Sequence, residues 1–556
     1  MTNLRPVLFI ALAFCAFMLW TEWNKDYNTP VPPPVAPSDT PAATPGAAAG
    51  ADAQDVPAAT TNAAPTAAPA ANESDVRGDS IVVETDVLRL VIDTRGATLR
   101  GAELKHYPIA PKSPEPVRLL HDDADGVFLA QSGLVASTGS APDHRATFAT
   151  TAPRHVLAEG ADTLEVPFTW TNDAGVTVTK TYRLRRGEYV IDVSDEVRNA
   201  GASEWRGQAY RQLQRTAPVK STKWSFTNPE AYSFVGAAWY SVEDKFEKLA
   251  FDKFAKEPLA RDITGGWAAM LQHYFFAAWI PPADEPGTYS TLVVAGAQPR
   301  YLIREVSPSR PVAAGQATTF AAKLYVGPKL QGHLDPIAPG LEKTIDYGLV
   351  TTIANPLFLL LKFLHKLVGN WGWAIVLITI LVKLALYPLS EAQYRSMAKM
   401  RKLQPRMQAL KERYGDDRQK LNQAMMELYQ KEKINPMGGC LPILIQMPIF
   451  IALYWVLLES VELRQAPWIL WIDNLSAKDP YFVLPVLNGL AMFLGQKLSP
   501  ATGMDPMQQK MMQMMPLVFS VMFAFFPAGL VLYWTVNGTL SLVQQYVITR
   551  RIDAAK

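Results

Sequence analysis

Five apolar stretches, 371–389, 438–459, 481–498, 511–527 and 528–548, crowd the last third of this 556-residue chain, and no other feature limits its fold as much. A helix needs about 20 apolar residues to cross the hydrocarbon core of a bilayer, and a chain with several such runs cannot hide them all in one water-soluble core. Composition agrees, since 49% hydrophobic against 19% charged side chains is poor in charge for a soluble protein. The spacing therefore predicts repeated membrane spans. The last two meet at Pro527-Ala528-Gly529 and must form a tight helical hairpin.

Charge sets the orientation. In 391–435 eleven Lys and Arg outnumber six Asp and Glu, which predicts a cytoplasmic loop. By the same rule 497–510 and the basic tail over 549–556, with Arg550 and Arg551, are cytoplasmic, and 460–480, whose only cations are Arg464 and Lys478, is external. Counting back through one span puts 80–335 outside. An apolar run over 6–20 then makes 1–23 a sixth span with the N-terminus inside. Trp20-Thr21-Glu22-Trp23 stands where a cleavage site needs small residues, and Phe14 argues against a lipoprotein signal at Cys15.

Residues 24–79 are rich in Ala, Pro and Thr and poor in branched or aromatic side chains, so they cannot bury enough surface to offset the entropy of ordering. They read as a disordered linker. From 80 to 335 the period changes to two, as in Val176-x-Val178-x-x-x-Tyr182-x-Leu184 and Tyr189-x-Ile191-x-Val193-x-x-x-Val197, with turn signals at Asn172-Asp173-Ala174-Gly175 and Arg186-Gly187. One large antiparallel β-sandwich accounts for this length. In 340–369, Asn355-Pro356 reads as a helix start, with Leu357, Leu360, Leu361, Leu364, Leu367 and Val368 on one face and Lys362, His365 and Lys366 on another. That is the pattern of a helix lying in the membrane surface.

Several chemistries are disfavoured. Cys15 and Cys440 are too far apart and too few for a disulfide framework or a cysteine-built metal site, and His106, His121, His144, His155 and His273 show no ligand spacing. The chain holds no GxxxxGK[ST], GxSxG or HExxH segment, so no catalytic residue, metal or cofactor is expected. A formal net charge of +2 gives no global attraction to nucleic acid.

What remains is polarity where there should be none. Lys383 interrupts the first of the five stretches, and a cation there costs about 2.5–3.5 kcal/mol unless it meets protein or water. It either snorkels to the head groups or faces a wet cavity. The surroundings favour the cavity: Thr379 stands one turn away in the same stretch, the other spans carry Gln446, Asn488, Gln496, Asn537, Gln544 and Gln545, and no acidic residue lies deep enough to pair with Lys383. In the loop 391–435, Met400, Leu403, Met407, Leu410 and Tyr414 repeat at helical spacing, with Arg395, Lys399, Lys402, Arg406 and Arg413 on another face. After Gly415-Asp416-Asp417 the pattern resumes with Leu421, Met425 and Leu428, which predicts a helical hairpin. Its basic face suits anionic lipid or a ribosome-side partner. Fifteen of the eighteen methionines fall between Met397 and Met522, as suits an apolar surface that must accept varied partners.

Four segments carry a resemblance: Asn435-Pro436-Met437-Gly438-Gly439-Cys440-Leu441-Pro442-Ile443-Leu444-Ile445-Gln446-Met447-Pro448-Ile449-Phe450, Ser460-Val461-Glu462-Leu463-Arg464-Gln465-Ala466-Pro467, Asp505-Pro506-Met507-Gln508-Gln509-Lys510 and Phe526-Pro527-Ala528-Gly529-Leu530-Val531-Leu532-Tyr533-Trp534. In these, and in the order of its segments, the chain resembles the YidC/Oxa/Alb family of membrane-protein insertases in its Gram-negative form. The resemblance implies a polytopic α-helical inner-membrane protein of six spans, five of them an insertase core, with a large periplasmic antiparallel β-sandwich. It implies a groove open to cytoplasm and lipid but closed outside, lined by Lys383, Thr379, Gln446, Gln496 and Trp534. The family's basic core residue is usually arginine, so this chain keeps the charge and loses the planar fork. The implied partners are nascent membrane-protein clients, the Sec translocon, and the ribosome or signal recognition receptor at the hairpin and at Arg550 and Arg551. The rival readings are a solute or ion transporter, which would want paired intramembrane charges or inverted repeats, and an anchored carbohydrate-binding module, which rests on fold analogy alone.

Overall fold

The computed structural model describes residues 55–57, 77–124, 126–218, 233–296, 298–415, 417–432, 441–498 and 506–554. The expected anchor over 1–23, most of the linker and Cys440 lie outside them.

Alternating burial along each strand builds two sheets. Val176–Arg185 pairs with Val190–Asn199 so that Val178 faces Val197, Tyr182 faces Val193 and Leu184 faces Ile191. Gly175 and Gly187, at φ of 83° and 72°, close the two turns that the sequence marks. This hairpin belongs to an eight-stranded sheet, which packs on an eleven-stranded one. Among the described residues every pairing is antiparallel except that of Ser80–Glu84 with Arg154–Val156, so the expected antiparallel sandwich holds with one parallel edge. Position 180 breaks the apolar alternation, and its lysine points inward all the same. Buried Lys180 lies opposite Asp195 and donates to the Ser132 carbonyl (3.0 Å) and hydroxyl (2.6 Å), while buried Arg211 meets Glu305 at 2.8 Å. These paired charges lie between two separate apolar clusters of the domain, one around Leu90, Phe168 and Trp279, the other around Trp205 and Phe320.

Among the described residues eight α-helices follow: α1 (Thr351–Val368), α2 (Trp371–Ala385), α3 (Tyr387–Tyr414), α4 (Arg418–Lys431), α5 (Leu441–Glu459), α6 (Val483–Leu498), α7 (Pro506–Phe523) and α8 (Ala528–Ala554). Three of their bounds differ from expectation. Helix α1 starts four residues before Asn355, whose side-chain oxygen accepts from Gln331 (3.2 Å) instead of capping, and Pro356 sits inside the helix; residues 341–344 and 348–350 are short 3-10 turns. Nor does its outer face read as simply polar, because Leu359, Phe363 and Leu367 are more than half exposed while Phe358, Leu361 and Leu364 are buried. The first apolar stretch breaks at Leu386 rather than 389. Pro388 lacks an N–H and its ring disfavours a helical backbone before it, so a new helix starts at Tyr387, bent by 64° from α2, and runs on into the loop as α3. Finally, α8 carries Arg550 and Arg551 as a continuous helix, not as a separate tail.

Among the described residues no single helix is both long and apolar enough to cross a membrane alone; α2 and the start of α3 pass together. The outer helix faces are nevertheless apolar. Leu384, Val486, Leu490, Leu517, Val518, Val521 and Val543 are each more than half exposed, far more than a water-facing bundle tolerates.

Candidate client-binding groove

Helix α2 is fixed at its start. Asn370 accepts from the Trp373 N–H (3.2 Å) and donates to the carbonyls of Pro467 (3.1 Å) and Trp468 (3.2 Å), tying the N-terminal end to the 460–480 loop. Gly372 makes that approach possible, since a Cβ there would lie 2.1 Å from the Trp468 ring. The same loop receives the turn between α7 and α8, whose Ala528 and Gly529 N–H groups donate to the carbonyls of Ala477 (2.6 Å) and Leu475 (2.8 Å). It also meets the β domain: Gln465 donates to the Pro108 carbonyl (3.0 Å), Lys112 pairs with Asp473 (2.8 Å) and Glu462 accepts from the Gln331 N–H (3.1 Å). The β domain, this loop and the α7–α8 turn thus cluster at one end of the bundle. The helical hairpin continues from the other end of α2.

Lys383, 8% exposed, stands in the last turn of α2 and donates from Nζ to the Ser541 hydroxyl of α8 at 2.7 Å. Ser541 in turn donates to the Asn537 carbonyl (2.7 Å), and Tyr394 of α3 donates to the Ser541 carbonyl (3.2 Å). Gln446 of α5 donates to the Asn537 side-chain oxygen at 2.7 Å. Four helices therefore meet on one polar track, which the apolar spans around it make costly to leave unpaired. The ammonium meets a hydroxyl and, among the described residues, no carboxylate within ion-pair distance.

The structure places the other expected residues as follows. Thr379 is buried and donates back to the Ile375 carbonyl (2.6 Å), so its hydroxyl proton is used within α2. Trp534 is half-buried against Phe450 (4.8 Å between rings) and Phe523 (5.5 Å), with a buried, unpartnered Nε1. Half-buried Gln496 lies near the far end of α6, and among the described residues no hydrogen bond joins it to Lys383, Gln446 or Trp534. Asn488, also on α6, is fully buried with its amide oxygen unpartnered. Ser541 and Tyr394 were not among the expected groove residues. The signal for Ser541 was its position one helical turn after Asn537.

In the hairpin, Leu403 and Met407 are buried against Met425, Leu428 and Tyr429, and Asp417 caps α4 by accepting from the N–H groups of Gln419 and Lys420. The basic face is partly engaged with its own chain. Arg395 pairs with Glu391 (2.6 Å), Arg406 with Glu432 (2.7 Å), and Arg413 lies over Tyr414. The side chains of Lys399 and Lys402 lie outside the described residues. Arg550 and Arg551 are exposed, Arg550 over the Tyr546 ring.

Comparison with known proteins closes the identification. The family model of the 60Kd inner membrane protein matches residues 363–555, and that of the YidC periplasmic domain matches 80–360. The chain is 49% identical to the membrane protein insertase YidC of Thioalkalivibrio sulfidiphilus over all of this chain and 99% of that one. It is 50% identical to that of Stenotrophomonas maltophilia over 99% and 97%. A solved structure of an active YidC insertase aligns with 84% of this chain and 92% of its own at 18% identity, but a TM-score of 0.38 lends it no weight. With both models matched in order and half of all positions identical along the full length, the chain belongs to the YidC family of membrane protein insertases.

Proposed function

We propose that this insertase admits its clients through a polar groove between α2, α5 and α8, with Lys383 drawing in the acidic residues of a short client tail. The family makes the protein an inner-membrane insertase with a periplasmic domain rather than an enzyme, and its clients are nascent membrane proteins. What carries the groove is the partner of Lys383: a buried cation met by a hydroxyl and not by a carboxylate keeps its attraction for a passing carboxylate. The barrier being lowered is desolvation of that tail. Once it has entered, burial of the client's apolar segment at about 25 cal/mol per Å² drives insertion. For acidic external tails the membrane potential adds about 2.3 kcal/mol per charge per 100 mV.

The topology we propose has six spans, namely 1–23 and five built from 371–389, 438–459, 481–498, 511–527 and 528–548, with α1 in the membrane surface. The exposed apolar faces support membrane burial of the helical bundle. Clustering of the β domain with the 460–480 loop and the α7–α8 turn supports an external end closed to water and a cytoplasmic hairpin at the other. Both termini are then cytoplasmic. Thr379, Gln446, Gln496 and Trp534 line the groove, Gln496 toward the cytoplasmic end of α6. The hairpin residues Arg395, Lys399, Lys402, Arg406 and Arg413, with Arg550 and Arg551, meet the ribosome or signal recognition receptor and anionic lipids, and the insertase works alone or beside the Sec translocon.

The test is protease protection of a single-span client with an acidic N-terminal tail, added to proteoliposomes that contain only this protein. Lys383→Arg should insert the client as wild type does, and Lys383→Ala and Lys383→Glu should fail. Equal insertion by all four would leave the insertase and remove the role of the charge.

A further inference from the structure

We infer that the β domain carries a built receptor for an aspartate carboxylate, and that its ligand is the chain's own Asp55, which latches the Pro- and Ala-rich linker to the domain. Asp55 lies in the middle of that linker, yet it is only 7% exposed. One carboxylate oxygen lies 3.2 Å from His144 Nε2 and the other accepts from the Arg145 guanidinium. The Asp55 backbone carbonyl accepts from Arg304 Nη1 at 3.3 Å. Arg304 is itself buried, and among the described residues its Nε–H has no hydrogen-bond partner.

The histidine is wired for this task. The Tyr210 hydroxyl accepts the His144 backbone N–H (2.9 Å) and stands 2.6 Å from His144 Nδ1, which holds the ring with Nε2 toward Asp55. A carboxylate only accepts, so Nε2 carries the proton that faces Asp55. Tyr210 is fully buried, and Gly133 leaves room for it, since a Cβ there would lie 2.6 Å from the hydroxyl. Burial alone would raise the Asp55 carboxyl; the hydrogen bond and charge of His144, then Arg145, outweigh it and hold the group below the usual carboxylate range.

A buried carboxylate is costly unless its hydrogen bonds are replaced, and here the receptor replaces them on both oxygens. An accidental surface contact of a linker residue would not find a tyrosine already orienting its partner. The latch splits the linker in two, so that only 24–54 separates the N-terminal apolar stretch from a fixed point on the sandwich. The linker thus shortens the domain's reach as well as providing it.

Release of the N-terminal fragment by proteinase K, from full-length protein in detergent micelles, tests this. Asp55→Asn should speed cleavage within 24–79 at least threefold, whereas Asp52→Asn, which removes the same charge three residues earlier in the sequence, should not. Arg145→Gln should accelerate cleavage as well, and the double variant with Asp55→Asn should be no faster than the faster single one. Arg304→Gln repeats the test from the strand Arg300–Val306 should Arg145→Gln fold poorly. Equal rates for Asp55→Asn and Asp52→Asn would overturn the latch, and so would multiplying effects in the double variant, because the two side chains would then act separately.

Discussion

A lysine ammonium among apolar helices keeps its charge only where something replaces its water, and Ser541 supplies one acceptor at 2.7 Å. Ser541→Ala should therefore destabilise the helical bundle by about 1–3 kcal/mol, the usual cost of an unpaired polar group next to a charge. It should also lower insertion of acidic-tailed clients several-fold, with Ser541→Thr restoring both. Thermal unfolding in micelles and the proteoliposome assay read the two effects. That Lys383 needs a partner was legible from sequence, because a cation in an apolar run is an anomaly at one position. Its partner was not. Serine is common in spans, and only the fold brings 541 beside 383. Inward-facing Lys180 shows the same limit: the broken alternation was visible, but Asp195 and Ser132, which neutralise and bond it, come from the register of one strand and from the opposing sheet.

At the scale of elements, the sequence located the helices well and their ends poorly. Periodicity is a property of many residues and survives local noise, whereas a boundary is decided by one competition. At α1 the competitor was Gln331, which took the Asn355 side chain from the cap; at Leu386 it was Pro388, which could not extend α2. The register between α2 and the 460–480 loop depends on one missing side chain. Gly372→Ala would put a Cβ 2.1 Å from the Trp468 ring, and neither the helix nor the indole can give way without breaking the Asn370 bonds to Pro467 and Trp468. A loss of about 1–3 kcal/mol is expected, typical of overpacking. Insertion should fall with it although Lys383 is intact, since the contact between α2 and the 460–480 loop loosens. Unchanged melting and insertion in the Gly372→Ala protein would show that the loop tolerates displacement.

On the scale of the whole molecule, the β domain meets the helices through buried charge. Lys329 follows the last strand and is 5% exposed; His273 lies 3.5 Å from Glu459 at the end of α5, and Lys248 pairs with Asp346. These residues are far apart in sequence and each sits in an unremarkable local context, so no spacing announced the junction. Burial pushes the Lys329 ammonium down to about 8, against the attraction of Glu459 and with Lys248 adding to the repulsion and Asp346 opposing it. A lysine whose folded pKa is depressed binds fewer protons folded than unfolded, so stability rises with pH between about 8 and the ordinary lysine value of about 10.4. At lower pH the buried charge is a fixed cost of docking the domain. Wild-type protein should therefore gain up to about 2 kcal/mol from this group between about pH 7.5 and 9.5, at 1.36 kcal/mol per unit. Lys329→Met, which keeps the apolar stem and removes the charge, should be more stable at the lower pH and lose that part of the slope. Subtracting the Lys329→Met melting curve from the wild-type curve at each pH removes the titration of every other lysine and tyrosine. A flat difference would mean that the Lys329 ammonium stays hydrated and carries no such cost.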